Sequence, residues 1–407
     1  LHFERQTFFL PPDATLPDPV PLDEFQRFHR YLVLSAGVIW WTFGVSWGAM
    51  KILILLFFAV SAALVYGLFR LVAGRVAGAA GTALFIFSPL MPYVLFIVRD
   101  FSKVPFFLGV FLACGILLRR PADRRRLLWC AVLAGASAGV GMGFRRDLMI
   151  CLPPVAVVLL ACRTRGAGVG PRLAAVALFL TVFLLACLPI LRALQHHGNQ
   201  GSHDMLMGMS TDSDDCAGLE RASYERMPAH DDFYVFMAAA GHALRNCPGL
   251  PPERVKTRYL LDLALAFPGD MVARAYAAAL VIFRGVLSYP VMANHLGLYY
   301  LTALCAVMLV AAWDARTAAL LVFLLLYFCG VTSLQFHYRH AIHLSFLPYW
   351  FAGLLLSAAW RRWGARGPRQ AVSLPGAGRR AVGRALVFAV VLFALLLAPL
   401  TAGRLMQ

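Results

Sequence analysis

The feature that most constrains this chain is a series of long apolar runs separated by short polar turns. A helix needs about 20 predominantly apolar residues to cross the hydrocarbon core of a bilayer. Runs that approach or exceed this length lie near 47–72, 78–98, 102–118, 127–144, 147–162, 173–191, 295–313, 317–335, 341–360 and 385–402. These runs predict an all-α polytopic membrane protein with about ten transmembrane helices, because only helices and closed barrels satisfy their backbone in lipid.

Composition and charge agree with this class. Hydrophobic residues make up 60% of the chain and charged residues only 14%, far from the average of soluble proteins. A formal net charge of +17 would suit a nucleic-acid partner in a soluble protein. In a membrane protein it first indicates arginines retained in cytoplasmic loops, so we expect no nucleic-acid partner.

The arginine distribution predicts the orientation of the chain. Loops such as "RRPADRRR" and "RTRGAGVGPR" are assigned to the cytoplasm, because positive residues concentrate there. The alternation predicts an extracytoplasmic loop with an interfacial helix over 1–46, a transmembrane bundle over 47–192, an extracytoplasmic loop with amphipathic helices over 193–294, and C-terminal transmembrane helices over 295–407.

Three shorter features complete this organisation. The apolar stretches 31–43 and 271–289 are interpreted as helices lying at the membrane interface. "VFMAAAGHALRN" has apolar residues at helical spacing, which predicts a short amphipathic helix within the second loop. The chain opens on Leu1 without a methionine, so we expect a piece of a longer protein with one more transmembrane helix upstream.

Three helix junctions on the predicted extracytoplasmic face carry charged and polar residues. "VLFIVRDFSKVPFFLGVF", "GFRRDLM" and "FHYRHAIH" together contribute Arg99, Asp100, Lys103, Arg145, Arg146, Asp147, His337, Tyr338, Arg339, His340 and His343. Since the positive-inside rule discourages basic residues on this face, the set predicts a site for an anionic ligand at the outer interface. The alternative is that these side chains only snorkel to lipid phosphates.

A lipid-linked phosphate fits such a site. Arginine holds phosphate oxygens through two parallel hydrogen bonds, and lysine adds a compact charge. A neighbouring carboxylate, Asp100 or Asp147, would act as general base on an acceptor hydroxyl. The other interpretation is that both are only ion-pair partners. The histidines of "HYRHAIH" suit either part.

Other chemical signals are weak. The chain has no GKS/T phosphate loop, HExxH helix, GxSxG elbow or CxxC pair, which removes the common soluble reaction signatures. Acidic and histidine residues of the second loop are open to metal binding or to a plain solvated turn, and its two cysteines are open to pairing in an oxidising compartment. These residues are Asp212, Asp214, Asp215, His196, His197, His203, Asp204, Cys216 and Cys247.

Three segments of the chain resemble the GT-C membrane glycosyltransferases, and within them the protein mannosyltransferase-like group. "FGVSWGAMKILILLFFAVSAALVYGLFRLVAGRVAGAAGTALFIFSPLMPYVLFIVRD" is similar to a helix and small basic turn that precede a helix ending in Ser-Pro. "AGASAGVGMGFRRDLMICLPP" is similar to a glycine-rich helix that ends in arginine, and "YRHAIHLSFLPYWFAGLL" to an Arg-Tyr-type helix start.

The resemblance implies a fold of many transmembrane helices and sugar transfer from a polyprenyl-phosphate donor, with inversion, to a lipid, glycan or protein acceptor. We expect this reaction outside the cytoplasm, at a bacterial inner membrane. Carried over by position, Arg99, Lys103, Arg146 and Arg339 match phosphate ligands. The family's usual base lies in the first outer loop, where "PLDEFQRFHRY" offers Asp23 and Glu24, or it lies upstream of this chain.

Three further points concern the sugar, a metal ion and the rival functions. Tyr234 and Trp47 are candidates for stacking on the sugar. A divalent ion, Mg²⁺ or Mn²⁺, suits this chemistry, but no ligand set for one stands out. A transporter or flippase of an anionic lipid or lipid-linked glycan is the main rival, and an oligosaccharide polymerase or ligase is another.

Overall fold

The computed structural model contains helices and no strands in the residues that it describes. These are 24–166, 168–197, 202, 205–206, 232–246, 249–250, 252–285, 296–331, 338–364 and 377–406. An isolated parallel β-bridge joins Ala122 to Thr164. The all-α class predicted from the apolar runs is therefore confirmed.

The chain forms two compact units, Leu1–His197 and Gly198–Gln407. The helices of the first unit are α1 (Glu24–Phe28), α2 (Arg30–Phe43), α3 (Trp47–Ile86), α4 (Met91–Leu95), α5 (Val98–Phe101), α6 (Val104–Arg119), α7 (Arg124–Met142), a 3₁₀ helix (Arg146–Cys151), α8 (Leu152–Ala161) and α9 (Val169–His197). The predicted four-part division by membrane position stays a prediction.

Five helical stretches of the described chain are long and apolar enough to cross a membrane, and two of them combine two consecutive helices. They are Trp47–Ile86, Val98–Arg119, Val169–Ala193, Ile342–Trp360 and Arg380–Gly403. Each coincides with an apolar run of the sequence, and together they make this an all-α membrane protein. The larger count of about ten crossings stays a prediction.

α3 is broken where the sequence separates two apolar runs. At Gly74 the backbone leaves the helix, with φ 86° and ψ −173°, a conformation that is essentially restricted to glycine. Forty residues of continuous helix would extend about 60 Å, twice the hydrocarbon thickness of about 30 Å. The break at Gly74 therefore divides α3 into two shorter segments.

α7 and α9 pack closely through two glycines one turn apart. A Cβ atom at Gly135 would lie 2.7 Å from the carbonyl oxygen of Phe179, and one at Gly139 would lie 2.7 Å from that of Phe183. Small residues spaced by four allow helix backbones to approach in membranes. This contact fixes the end of α7, from which the chain enters the candidate site.

α2 is anchored at the same end of α7. The Tyr31 amide donates to the carbonyl of Gly143 at 2.9 Å, and the Tyr31 hydroxyl donates to the carbonyl of Ala186 at 2.6 Å. Leu34, Val38 and Trp41 of α2 are exposed. The predicted helix over 31–43 is thus present, and its place at the membrane interface stays a prediction.

In the described part of the second unit, three helices lie where the sequence predicts amphipathic segments: α10 (Asp232–Asn246), α11 (Pro252–Ala266) and α12 (Pro268–Gly285). Buried Leu263 and Leu206 pack with Tyr259, Leu260 and Met271. His242 Nε2 lies 2.8 Å from Asp262 Oδ2 and joins α10 to α11. α11 and α12 meet at 96°, a geometry of broken spans and re-entrant loops.

The remaining described helices are mostly apolar, and several of them pack on α12. They are α13 (Leu296–Trp313), α14 (Ala315–Val331), α15 (Tyr338–Ala341), a 3₁₀ helix (Ile342–Leu344), α16 (Leu347–Gly364) and α17 (Ala377–Met406). The Tyr276 hydroxyl donates to the carbonyl of Leu396 at 2.8 Å, which joins α12 to α17. A Cβ at Gly403 would lie 2.6 Å from the Cα of Gly269, so these helices also cross at glycines.

Candidate functional site

The candidate site lies where two helix junctions of the first unit meet. Ser102 and Lys103 separate α5 from α6. After α7, Arg145 is extended, with φ −158° and ψ 129°, and the chain then enters the 3₁₀ helix at Arg146. These interruptions bring charged side chains to the ends of apolar helices, and helix packing brings the two junctions together.

A chain of ion pairs joins the two junctions. Lys103 Nζ donates to Asp147 Oδ2 at 2.6 Å, and Arg145 Nε donates to the same oxygen at 3.3 Å. A second nitrogen of Arg145, Nη1, donates to Asp100 Oδ1. Arg99 Nε lies 3.8 Å from Asp100 Oδ1. We call these five residues the ion-pair cluster.

Burial separates the cluster into an inner and an outer part. The side chains of Asp100, Lys103 and Arg145 are 0%, 2% and 9% exposed, whereas those of Asp147 and Arg99 are 31% and 39% exposed. Buried charges are costly unless they are paired, and ionisable residues inside membrane segments usually mark functional sites. The inner residues are two cations and one carboxylate, so the carboxylate of Asp147 is needed to balance their charge. Asp147 and Arg99 are accessible from the surface.

Arg146 adds a further cation beside the cluster. Its guanidinium carbon lies 4.8 Å from the centroid of the Phe28 ring, a cation–π contact that holds a guanidinium in place. Phe28 belongs to α1, in the segment "PLDEFQRFHRY". Asp23, one candidate base of that segment, lies outside the described residues, as does the side chain of the other, Glu24.

The carboxylates predicted as catalytic bases differ in their surroundings. Asp100 is fully buried and Asp147 is partly exposed. Both accept hydrogen bonds from Arg145, so the ion-pair role is present in the structure for each. Of these two carboxylates, only that of Asp147 is accessible from the surface.

The third predicted junction belongs to the second unit. His337 lies outside the described residues, as do the side chains of Tyr338 and Arg339 on α15. His340 and His343 are buried, with 8% and 3% exposure. The prediction that this junction shares a site with Arg99 and Arg145 stays a prediction.

One pair of charged residues near the third junction was not predicted from the sequence. Asp270 and Arg274 lie four residues apart on α12, and Arg274 is 5% exposed. α12 packs against α15, which carries His340. The available signal was the spacing of an acid and an arginine by four residues within an otherwise apolar run. Such residues are rare and costly in membrane helices.

Metal binding finds no support in the described part of the chain. No group of three His, Cys, Asp or Glu residues there is arranged to hold an ion. Both carboxylates of the ion-pair cluster already accept hydrogen bonds from cationic groups, so the cluster does not fit Mg²⁺ or Mn²⁺. The acidic, histidine and cysteine candidates of the second loop lie outside the described residues, apart from His196 and His197 of α9, whose side chains are not described.

The candidates for sugar stacking are also only partly described. Trp47 begins α3 with 71% exposure, and the side chain of Tyr234 on α10 is not described. Comparison with protein-family models, with curated proteins and with solved structures finds no match for this chain. The function is therefore argued from the site and from the sequence resemblance alone.

Proposed function

We propose that this chain is a GT-C-type membrane glycosyltransferase. It moves a sugar from a polyprenyl-phosphate donor to a lipid, glycan or protein acceptor on the extracytoplasmic face of a bacterial inner membrane. The observation that carries the proposal is the run of ion pairs from Arg99 to Asp147. It brings cations and one partly exposed carboxylate together where two helix junctions of the first unit meet.

The donor phosphate is held by the outer cations. The two junctions carry four basic residues, Arg99, Lys103, Arg145 and Arg146, and two acidic ones, Asp100 and Asp147. Of the basic residues, Arg99 and Arg146 are the two that are not buried. Guanidinium groups bind phosphate oxygens through two parallel hydrogen bonds. They also stabilise the negative charge that develops on the departing phosphate.

Asp147 is the proposed general base. Lys103 and Arg145 both bind its Oδ2 and fix the orientation of the carboxylate. The acceptor hydroxyl gives its proton to Asp147 as its oxygen bonds to the anomeric carbon of the sugar. The bond from that carbon to the phosphate oxygen breaks, and polyprenyl phosphate leaves with the bonding electrons. A single displacement of this kind inverts the anomeric configuration.

A transporter or flippase of an anionic lipid is the second candidate. The bend of 96° between α11 and α12 favours it, because broken helices commonly form the binding sites of transporters. Buried Arg274 lies on the second half of that bent pair. This candidate predicts movement of intact lipid-linked sugar across the membrane without transfer.

The test is transfer of radiolabelled sugar from polyprenyl-phosphate donors in membranes that contain the protein. Asp147→Asn should lower kcat by at least about 100-fold, the usual contribution of a general base. Arg99→Ala should lower kcat/KM, whereas Arg125→Ala, an exposed arginine at the other end of α7, should not. Asp147→Glu and melting temperatures separate lost chemistry from lost folding.

Transfer by well-folded Asp147→Asn at the wild-type rate would remove Asp147 from the chemistry. Absence of transfer by the wild-type protein from every donor, together with movement of the donor across the bilayer, would favour the transporter. Loss of transfer in Arg99→Ala and Arg125→Ala alike would show that neither arginine reports on the donor site.

A further inference from the structure

A second basic surface lies at the opposite ends of α6 and α7 from the ion-pair cluster. It is formed by the loop between α6 and α7 and by the loop between α8 and α9. The Ala122 amide donates to the carbonyl of Arg163 at 2.8 Å, and the Arg165 amide donates to the carbonyl of Ala122 at 2.9 Å. These two hydrogen bonds fasten the loops to each other.

One arginine strengthens this junction from within. Arg172 on α9 donates to the carbonyl of Leu160 and to the hydroxyl of Thr164, both at 2.9 Å. It therefore connects the end of α8, the loop between α8 and α9, and the start of α9. The loop backbones are held in a fixed arrangement, so the side chains that they carry form a preorganised surface.

The exposed arginines of this surface include Arg120, Arg124, Arg125 and Arg165. The acid nearest to them in the sequence, Asp123, accepts a hydrogen bond from the Arg126 amide at 2.7 Å and caps α7. Within the part of the chain that the structure describes, no carboxylate forms an ion pair with any of the four. We call these four residues the arginine face.

Apolar side chains next to the arginine face indicate its surroundings. Trp129 on α7 is 64% exposed, and Val169 and Leu173 at the start of α9 are 68% and 55% exposed. Tryptophan is enriched at the level of lipid headgroups. A surface with arginines at its end and apolar residues along its side matches the boundary between headgroups and hydrocarbon.

We propose that the arginine face binds the headgroups of anionic phospholipids in the adjoining leaflet. Guanidinium groups bind lipid phosphates through paired hydrogen bonds, and a cluster of arginines beside a membrane helix attracts anionic lipids. The apolar neighbours favour a lipid over a free phosphate or a nucleic acid. This inference does not rest on the proposed glycosyltransferase activity, since the two sites lie at different ends of α6.

The test measures lipid preference in reconstituted bilayers. The full chain is placed in phosphatidylcholine bilayers with a spin-labelled lipid, and electron paramagnetic resonance gives the fraction of labelled lipid immobilised by the protein. Spin-labelled phosphatidylglycerol is compared with spin-labelled phosphatidylcholine. The variants change all four arginines to glutamine, or all four to lysine as a matched control that keeps the charge.

We expect the wild-type protein to immobilise phosphatidylglycerol several-fold more strongly than phosphatidylcholine. The glutamine variant should bring this ratio close to one, and the lysine variant should keep most of it. The ratio should also fall in 1 M salt, where the screening length shrinks to about 3 Å. All four residues are exposed, so an unchanged melting temperature is the check on folding.

An equal preference for both lipids in the wild-type protein would overturn the proposal. The same conclusion follows if the glutamine variant keeps the wild-type ratio. A labelled single-stranded RNA that binds the wild-type protein at physiological salt, without any lipid preference, would assign the arginine face to nucleic acid instead.

Discussion

The two residues of the Lys103–Asp147 ion pair affect the free energy of unfolding unequally, because they differ in burial. Lys103 is buried to 2% exposure and Asp147 is 31% exposed. Removing one partner of a buried pair typically costs about 3–5 kcal/mol, because the remaining charge is left uncompensated. We expect Asp147→Asn to lower the free energy of unfolding by about 3 kcal/mol. Lys103→Met should cost less, since Asp147 keeps Arg145 and partial solvent access.

The measurement is unfolding in mixed detergent micelles for both single variants and for Lys103→Met/Asp147→Asn. Because the two residues are in direct contact, the loss in the double variant should be smaller than the sum of the single losses. Contacting residues commonly show interaction energies of about 0.5–3 kcal/mol. Additive losses would contradict the pairing.

The sequence could predict which residues belong to the candidate site, but not how they pair. Arg99, Asp100 and Lys103 stand out because charge is costly between apolar runs. The contact of Asp100 with Arg145, 45 positions away, depends on the packing of α6 against α7. Likewise, nothing in the local pattern distinguishes the fully buried Asp100 from the partly exposed Asp147.

At the scale of helices, close packing at glycine determines how α7 meets α9. A Cβ at Gly139 would lie 2.7 Å from both the Phe183 carbonyl oxygen and the Ala186 Cβ. Backbone atoms cannot rotate away, so we expect Gly139→Ala to lower the free energy of unfolding by about 1–3 kcal/mol. The matched control is Gly37→Ala on α2, where a Cβ meets nothing within 4 Å.

Gly37→Ala should instead raise the free energy of unfolding by roughly 0.5–1 kcal/mol, because alanine is the better helix former. Both variants are compared with the wild-type protein by unfolding in micelles. Equal effects at the two glycines would mean that α7 and α9 do not approach as closely as the structure has them.

Helix positions followed from local patterns more readily than helix contacts did. The division of the first apolar region is confirmed at Gly74, where a glycine and a neighbouring arginine interrupt the run. Helical spacing also predicted the amphipathic helices of the second loop. The approach at Gly139 was not predicted, because it is defined by α9 rather than by the sequence around the glycine.

For the molecule as a whole, the orientation in the membrane determines on which side the ion-pair cluster and the arginine face lie. α7 has 19 residues and extends about 28 Å, close to the hydrocarbon thickness of about 30 Å. The candidate span Val98–Arg119 likewise has the cluster near one end and Arg120 just beyond the other. The positive-inside rule predicts that the arginine-rich end lies in the cytoplasm, and we therefore expect the ion-pair cluster outside.

Cysteine labelling in intact cells tests this orientation. Met149, beside the cluster on the 3₁₀ helix, is 45% exposed, and Arg165 belongs to the arginine face. With a membrane-impermeant maleimide, Met149→Cys should react from outside, and Arg165→Cys should react only after the membrane is opened. Reaction of both from one side would mean that α7 does not cross. The reverse pattern would place the cluster in the cytoplasm, where an extracytoplasmic acceptor could not reach Asp147.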